Sequence, residues 1–110
     1  MSLTVLEICA GAGGQAIGLE AAGFDLAAAI EIDPHACNTL RRNRPHWQVM
    51  EKSITEVDGS RFRGVDLLAG GVPCPPFSIA GKQLAYEDER DLFPEALRLI
   101  AESKPAFVRL

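Results

Sequence analysis

The sequence lacks the features of several large protein classes. Basic residues are outnumbered, with 11 lysines and arginines against 15 aspartates and glutamates and a formal net charge of −4, so these residues alone do not provide the basic surface typical of a nucleic-acid-binding domain. No apolar run approaches the roughly 18 residues that a membrane-spanning helix needs, and no basic segment of a signal peptide precedes the first apolar run. The three cysteines, Cys9, Cys37 and Cys74, are odd in number and widely spaced. This spacing argues against a zinc site or a disulfide framework and favours a reducing, cytoplasmic compartment.

What is present is typical of one small globular domain. The 110 residues are 47% hydrophobic and 24% charged, which allows one domain with a modest core. Strand-like and helix-like segments alternate, so the sequence predicts an α/β fold with a mostly parallel sheet. The predicted strands cover 4–9, 26–30, 47–50, 65–69 and 106–110, and the predicted helices cover 15–22, 34–44 and 92–103.

The connections between these segments also carry predictions. Asp33 and Pro34 have the residue types expected at the N-cap and first position of the second helix. The stretch 54–64 is polar and broken by glycine, and 80–91 is expected to be a long polar loop. The third helix carries an apolar stripe at Phe93, Leu97 and Ile100. The sequence stops within the fifth predicted strand. We therefore expect this strand to leave an open sheet edge, and we expect the chain to be the front part of a larger unit.

A glycine-rich turn, Gly11-Ala12-Gly13-Gly14, lies between the first strand and the first helix. Glycines there permit a tight turn and close approach of a ligand to the backbone. Glu31 ends the next strand about 20 residues later, where dinucleotide-type folds place an acid that binds ribose hydroxyls. Neither the G-x-G-x-x-G pattern nor a P-loop is present, which fits a nucleoside without phosphate, such as S-adenosylmethionine. A purely structural turn followed by an exposed glutamate is the alternative.

A second stretch, Gly70-Gly71-Val72-Pro73-Cys74-Pro75-Pro76-Phe77-Ser78, follows the fourth strand. Prolines cannot continue a helix or a central ladder, so they hold Cys74 on a stiff loop. Ligands bind at the carboxyl ends of strands in open α/β sheets, which makes Cys74 a candidate nucleophile. The alternative is a small buried residue that caps the strand, the packing role that we expect for Cys37.

Together these motifs resemble the DNA cytosine-5 methyltransferase family over nearly the whole chain. The segment 8–14 is similar to the first motif of the family, with Cys9 where an aromatic residue is usual. Ser53-Ile54 resembles the third motif, with Ser53 in place of the usual aspartate. The segment 71–78 resembles the catalytic motif, and 81–83 and 88–90 resemble the mobile catalytic loop and its continuation.

The resemblance implies a Rossmann-like methyltransferase fold, a mostly parallel sheet with helices on both faces, ended after about five strands. It implies S-adenosylmethionine as the cofactor and no metal. The glycine turn would wrap the methionine part, Glu31 would bind the ribose, Ile32 would stack on adenine, and Ser53-Ile54 would meet the adenine amino group. The implied cofactor-binding residues are Cys9, Ala10, Gly11, Ala12, Gly13, Gly14, Glu31, Ile32, Ser53, Ile54, Gly71, Pro73 and Leu92.

The resemblance also implies a reaction. The Cys74 thiolate adds to cytosine C6, C5 takes the sulfonium methyl, a base removes the C5 proton, and the thiol leaves. The cytosine must leave the duplex to reach the thiol. Val72 and Pro73 would contact its edge, and Ser78, Lys82 and Arg90 would contact phosphates.

The next motif of the family, Glu-Asn-Val, would fall just after Leu110, and an arginine motif, the target-recognition domain and a last helix would follow. Residues 1–110 are therefore expected to be a partial catalytic domain that is inactive alone and binds S-adenosylhomocysteine weakly or not at all. The expected setting is a cytoplasmic restriction-modification enzyme acting on double-stranded DNA. The expected partners are the remaining portion as a second chain, or another copy through the open sheet edge.

Two other functions remain open at this point. An RNA cytosine-5 methyltransferase shares the same motifs. A non-catalytic remnant or subunit could keep the nucleotide-binding fold without the activity.

Overall fold

A computed structural model describes the backbone of residues 2–71 and 83–110, and the side chains of 2–71 and 92–110. Within these residues the chain forms one parallel sheet with the strand order β3-β2-β1-β4-β5. The strands are β1 (Leu3–Ile8), β2 (Phe24–Glu31), β3 (Val49–Glu51), β4 (Leu67–Gly70) and β5 (Phe107–Arg109). The helices are α1 (Gly14–Ala21), α2 (Pro34–Asn43) and α3 (Gln83–Ser103). The predicted α/β class and parallel sheet are confirmed.

The central strand β1 pairs with β2 on one side and β4 on the other. One face of the sheet carries Leu6, Ile8 and Leu68, which pack against Ala96 and Leu99 of α3. These side chains are buried because a parallel sheet is covered on both faces, which explains the nearly continuous apolar runs.

The opposite face packs against α1 and α2. Ala29 of β2 contacts a cluster that contains Ala16 of α1, Leu40 of α2 and Trp47. Glu7 lies on this face, in register with Ala29 on one side and Ala69 on the other. It is only 1% exposed.

The helix start at Asp33 and Pro34 is confirmed. The Asp33 side chain accepts a hydrogen bond of 3.0 Å from the Ala36 amide, and Pro34 is the first residue of α2. The strand bounds differ from the predictions by one to two residues. The segment predicted to be irregular contains two 3₁₀ turns, Ile54–Glu56 and Gly59–Phe62, which the sequence pattern did not reveal.

The predicted loop 80–91 is wrong for residues 83–91, which form the first turns of α3. The sequence there is rich in glutamine, leucine, alanine, glutamate and arginine, all good helix formers. Proline normally ends or kinks a helix, yet Pro94 lies inside α3, as the predicted helix 92–103 also placed it. Within the described residues, no helix is both long enough and apolar enough to span a membrane.

The predicted apolar stripe of α3 is also displaced. Phe93 and Leu97 are 40% and 50% exposed, whereas Ala96 and Leu99 are fully buried. Leu92 and Ile100 pack partly against the same core. The stripe that faces the sheet is therefore rotated, with the small Ala96 at its centre.

Candidate active site

The turn after β1 is built on unusual backbone conformations. Cys9, Gly11 and Gly13 have φ values of 51°, 59° and 101°, the left-handed region that favours glycine. A Cβ atom on Gly13 would lie 2.5 Å from Cδ2 of Leu40, so the turn packs closely on α2. No side chain caps the start of α1, which leaves backbone amides of its first turn without helical partners.

Glu31 joins this turn to the end of β2. Its Oε1 accepts a hydrogen bond of 2.7 Å from the Gly11 amide, and its Oε2 accepts one of 2.9 Å from the Asp33 amide. The predicted pair of glycine turn and acid is therefore brought together. Each carboxylate oxygen can accept more than one hydrogen bond, so the carboxylate is fixed in place and still able to accept from a ligand hydroxyl.

Neither of the two described cysteines has the lowered thiol pKa that is typical of a nucleophile. Burial, with the nearby charge of Glu31, raises the pKa of the Cys9 thiol to about 11. Cys37 is fully buried and donates a hydrogen bond of 3.2 Å to the Glu31 carbonyl, and burial also raises its pKa. Thiols of this kind remain protonated and act as packing groups, as expected for Cys37.

The end of β3 completes this corner of the sheet edge. The Lys52 amide donates to the Glu31 carbonyl at 3.1 Å, so the segment after β3 leaves the sheet beside β2. Ile32 is 64% exposed here, an apolar surface suited to stacking on a flat ring. The Ser53 hydroxyl accepts from the amide and the hydroxyl of Thr55. Ile54 is buried in the core, so its side chain is not available at this edge.

Gly70 brings the end of β4 close to the end of β1. A Cβ atom on Gly70 would lie 2.5 Å from Cγ1 and 2.7 Å from the carbonyl oxygen of Ile8. No larger residue fits without moving backbone. Gly71 is exposed directly after it, so the chain leaves β4 at the same sheet edge as the glycine turn.

Several predicted site residues lie outside the described residues, namely Val72, Pro73, Cys74, Ser78 and Lys82. Arg90 lies in α3, but its side chain is not described. The side chain of Leu92 packs partly against the core on the α3 face. Residues 2–71 and 92–110, whose side chains are described, contain no cluster of three side chains able to hold a metal ion.

Two charged residues were missed by the sequence reasoning. Glu7 interrupts an apolar strand, a signal that could have identified it as a buried carboxylate. Arg98 lies three residues after Glu95 and four before Glu102, a spacing that places all three side chains on one side of a helix. Asp66 accepts a hydrogen bond of 2.8 Å from the Thr4 amide.

Comparison with known proteins places the chain in a family. The family described as C-5 cytosine-specific DNA methylase matches residues 3–110. Type II methyltransferase M.NgoMIV of Neisseria gonorrhoeae is 63% identical over 110 residues, covering 100% of this chain and 35% of the relative. Type II methyltransferase M.Eco47II of Escherichia coli is 54% identical over 104 residues, covering 93% of this chain and 25% of the relative.

Solved structures agree with the fold. A protein of an E. coli prophage, assigned as a DNA modification methyltransferase, superimposes with a TM-score of 0.82 at 29% identity. The match covers 99% of this chain and 32% of that one. The Dnmt2 methyltransferase of S. pombe has the same fold, with a TM-score of 0.65 at 23% identity over 94% of this chain and 30% of that one.

The chain spans about a third or less of the length of these relatives. The matched part contains the described glycine turn, Glu31 and the strand that leads to Cys74. The chain therefore belongs to the C-5 cytosine-specific DNA methylase family.

Proposed function

We propose that this chain is the cofactor-binding and nucleophile-bearing part of an enzyme that transfers a methyl group from S-adenosylmethionine to C5 of cytosine in double-stranded DNA. The observation that carries the proposal is the Glu31 carboxylate, held by the Gly11 and Asp33 amides at the sheet edge. This is the edge at which Gly71 leads toward Cys74. Membership of the family supports the assignment.

The cofactor supplies an electrophilic methyl group on its sulfonium. Glu31 accepts hydrogen bonds from the ribose hydroxyls through the lone pairs that the two amides leave free. The turn 10–14 allows the methionine part to approach the backbone, and the exposed face of Ile32 stacks on the adenine. Gly71 and Pro73 complete the cofactor contacts from the end of β4.

The adenine edge is assigned mainly to the backbone amide of Ile54, because the Ile54 carbonyl already accepts from Arg98 and from the Val57 amide. The Ser53 hydroxyl already accepts two hydrogen bonds from Thr55, so it has little capacity left to accept from the adenine amino group. The role that an aspartate usually has at this position is therefore only partly filled by Ser53.

Cys74 is the proposed nucleophile. Its thiolate forms a bond to cytosine C6, which raises the electron density at C5 and lets that carbon take the methyl group. Removal of the C5 proton and departure of the thiol restore the aromatic ring. We assign Val72 and Pro73 to the cytosine edge and Ser78, Lys82 and Arg90 to the DNA phosphates.

We infer that methyl transfer requires residues that follow this segment in the relatives, since the chain matches only 35% of the Neisseria relative. The test combines the chain with the remaining portion of that relative as a second polypeptide, using labelled S-adenosylmethionine and duplex DNA. Transfer is expected with both pieces and not with the chain alone. Replacing Cys74 by serine is expected to abolish it.

Cys37→Ser is the matched control, because serine keeps the hydrogen-bond donor that Cys37 offers to the Glu31 carbonyl. This variant is expected to retain transfer. Methylation by the Cys74→Ser mixture would overturn the proposed nucleophile. Methylation of an RNA substrate in place of DNA would favour the RNA enzyme, and a stable complex that binds S-adenosylhomocysteine without any transfer would favour a non-catalytic subunit.

We further propose that the cellular setting is a cytoplasmic restriction-modification system, supported by the type II names of the relatives. Strand β5 lies at the end of the strand order, and Phe107 and Val108 are 71% and 44% exposed. Such an edge suits pairing with the remaining portion of the enzyme or with a second copy.

A further inference from the structure

The Arg98 guanidinium connects α3 to the segment that follows β3. Its Nη2 donates 2.9 Å to the Ile54 carbonyl, and its Nη1 donates 2.9 Å to the Val57 carbonyl. Two carboxylates on α3 hold it in this position: Glu95 accepts from Nε at 3.0 Å and Glu102 accepts from Nη1 at 2.7 Å. The rigid fork of an arginine allows all four bonds at once.

Glu102 adds a third backbone attachment to the same segment. Its Oε1 accepts a hydrogen bond of 2.8 Å from the Gly59 amide. A Cβ atom on Gly59 would lie 2.9 Å from Cβ of Glu102, so this close approach depends on the absence of a side chain. The segment is therefore fixed to α3 through two carbonyls and one amide.

These attachments act on the turn that carries the proposed adenine contact. The Ile54 carbonyl that Arg98 binds belongs to the same residue whose backbone we assign to the adenine edge. Ile54 and Val57 are buried against Ala96 and Leu99 of α3, and the packing sets the distance between turn and helix. Apolar packing is non-directional, so the orientation of the turn relative to α3 depends on the directional hydrogen bonds that Arg98 and Glu102 form.

We propose that Arg98 is a positioning residue that orients the Ser53–Ile54 backbone for the adenine of the cofactor. This inference rests on the proposed function, because it assigns adenine to that turn. Arg98 acts through Ile54 and does not touch the ligand. Because α3 also carries Leu92 and Arg90, the same helix connects the adenine side of the site with the segment that follows Cys74.

The test compares Arg98→Met and Arg98→Lys with the unchanged chain, and Arg42→Met is the control because Arg42 is an exposed arginine on α2. Methionine keeps much of the side-chain stem and removes the fork, whereas lysine keeps the charge but not the fork geometry. Nuclear magnetic resonance is used because it detects weak binding. One series follows amide hydrogen exchange in the free chain, and a second follows titration with S-adenosylhomocysteine.

Arg98→Met is expected to speed exchange of the Val57 and Gly59 amides while the amides of β1 stay protected. The dissociation constant for S-adenosylhomocysteine is expected to rise roughly tenfold, with an intermediate rise for Arg98→Lys and no change for Arg42→Met. If Arg98 had only a structural role, Arg98→Met would lower the stability of the chain without changing the affinity of the folded molecules for S-adenosylhomocysteine.

Three results would overturn the proposal. Unchanged exchange at Val57 and Gly59 in Arg98→Met would show that the turn does not depend on Arg98. Unchanged affinity despite faster exchange would show a structural role only, with the proposed cofactor site intact. If the unchanged chain shows no shifts with S-adenosylhomocysteine even after the remaining portion of the Neisseria relative is added, the proposed cofactor site is removed, and the positioning role with it.

Discussion

Two glutamates on neighbouring strands of this sheet have opposite surroundings. Glu31 ends β2, and each of its carboxylate oxygens accepts a backbone amide. Glu7 is the next-to-last residue of β1 and is still paired on both sides, and its Oε2 has no hydrogen-bond donor among the described residues. The contrast arises in one sheet, with the same side chain and on adjacent strands.

The position along the strand explains the difference. At the carboxyl end of a parallel strand the chain turns away, and turns offer amides that are not used in the sheet, such as those of Gly11 and Asp33. At Glu7, one residue before the end of β1, the strand is still paired with β2 and β4 on both sides, so no free amide lies beside it. The flanking residues on the same face are Ala29 and Ala69, which offer no side-chain donor. A carboxylate in this sheet is therefore well supported only where the strands end.

The strongest test of this comparison is the pH dependence of stability. Burial raises the pKa of Glu7 from 4.5 to about 7. The native state therefore holds the proton more tightly than the unfolded chain, so the contribution of Glu7 is full below pH 4.5 and is lost as the pH rises to about 7. Between about pH 5 and pH 8 the loss is about 2.5 kcal/mol. Glu7→Gln should remove this loss, measured by urea unfolding at both pH values.

Asp25→Asn is the control for this measurement, because it makes the same carboxylate-to-amide change at an exposed position of β2. This control should leave the pH dependence as it is in the unchanged chain. If Glu7→Gln and the unchanged chain lose equal stability between the two pH values, the carboxylate of Glu7 has a partner that stabilises its charge. The two glutamates would then be alike.

The second test removes the support at the sheet edge. Glu31→Gln keeps the shape of the side chain but leaves only one oxygen to accept from the Gly11 and Asp33 amides. The free energy of unfolding should fall by about 2 kcal/mol, because hydrogen bonds to charged groups contribute more than neutral ones. Urea unfolding at neutral pH gives the value.

Glu51 provides a matched position, since it pairs in register with Glu31 on β3. It forms a surface ion pair of 2.9 Å with Arg41. The Arg41 side chain is 45% exposed and the Glu51 side chain is 38% exposed. Exposed pairs contribute at most about 1 kcal/mol, so Glu51→Gln should cost clearly less than Glu31→Gln. Equal losses would mean that the amide contacts of Glu31 add nothing beyond its surface charge.

The sequence predicted the edge better than the interior. Glycine permits backbone conformations that other residues rarely adopt, and aspartate followed by proline is typical of a helix start. The turn at 11–14 and the helix start at Asp33 could therefore be located from residue types alone. Glu31 was found because its distance from the glycine turn is set by one strand-helix-strand unit. These predictions depend on short-range rules, which a single sequence contains.

The interior depends on contacts between distant residues, and there the predictions were weaker. The buried face of α3 was predicted wrongly, because Phe93 and Leu97, four residues apart, fit one face of a helix as well as the buried pair Ala96 and Leu99, three residues apart. Spacing alone cannot decide which of two overlapping stripes faces a sheet. The bonds from Arg98 to Ile54 and Val57 join residues more than forty positions apart, and no local rule relates them.

The smallest expected effect concerns the N-cap of α2 beside Glu31. Asp33 donates its amide to Glu31 and accepts from Ala36 through its side chain, so the backbone supports the acid and the side chain supports the helix. Asp33→Ala should lower the free energy of unfolding by about 1 kcal/mol through loss of the cap. Asp33→Asn should lower it by less, since asparagine is an equally good cap.

The contact with Glu31 uses the backbone amide of Asp33, which both variants keep. The changes in the chemical shift of the Gly11 amide on titration with S-adenosylhomocysteine should therefore be the same in both variants. A loss of those shifts in Asp33→Ala alone would show that the cap of α2, and not the turn itself, holds the carboxylate in place.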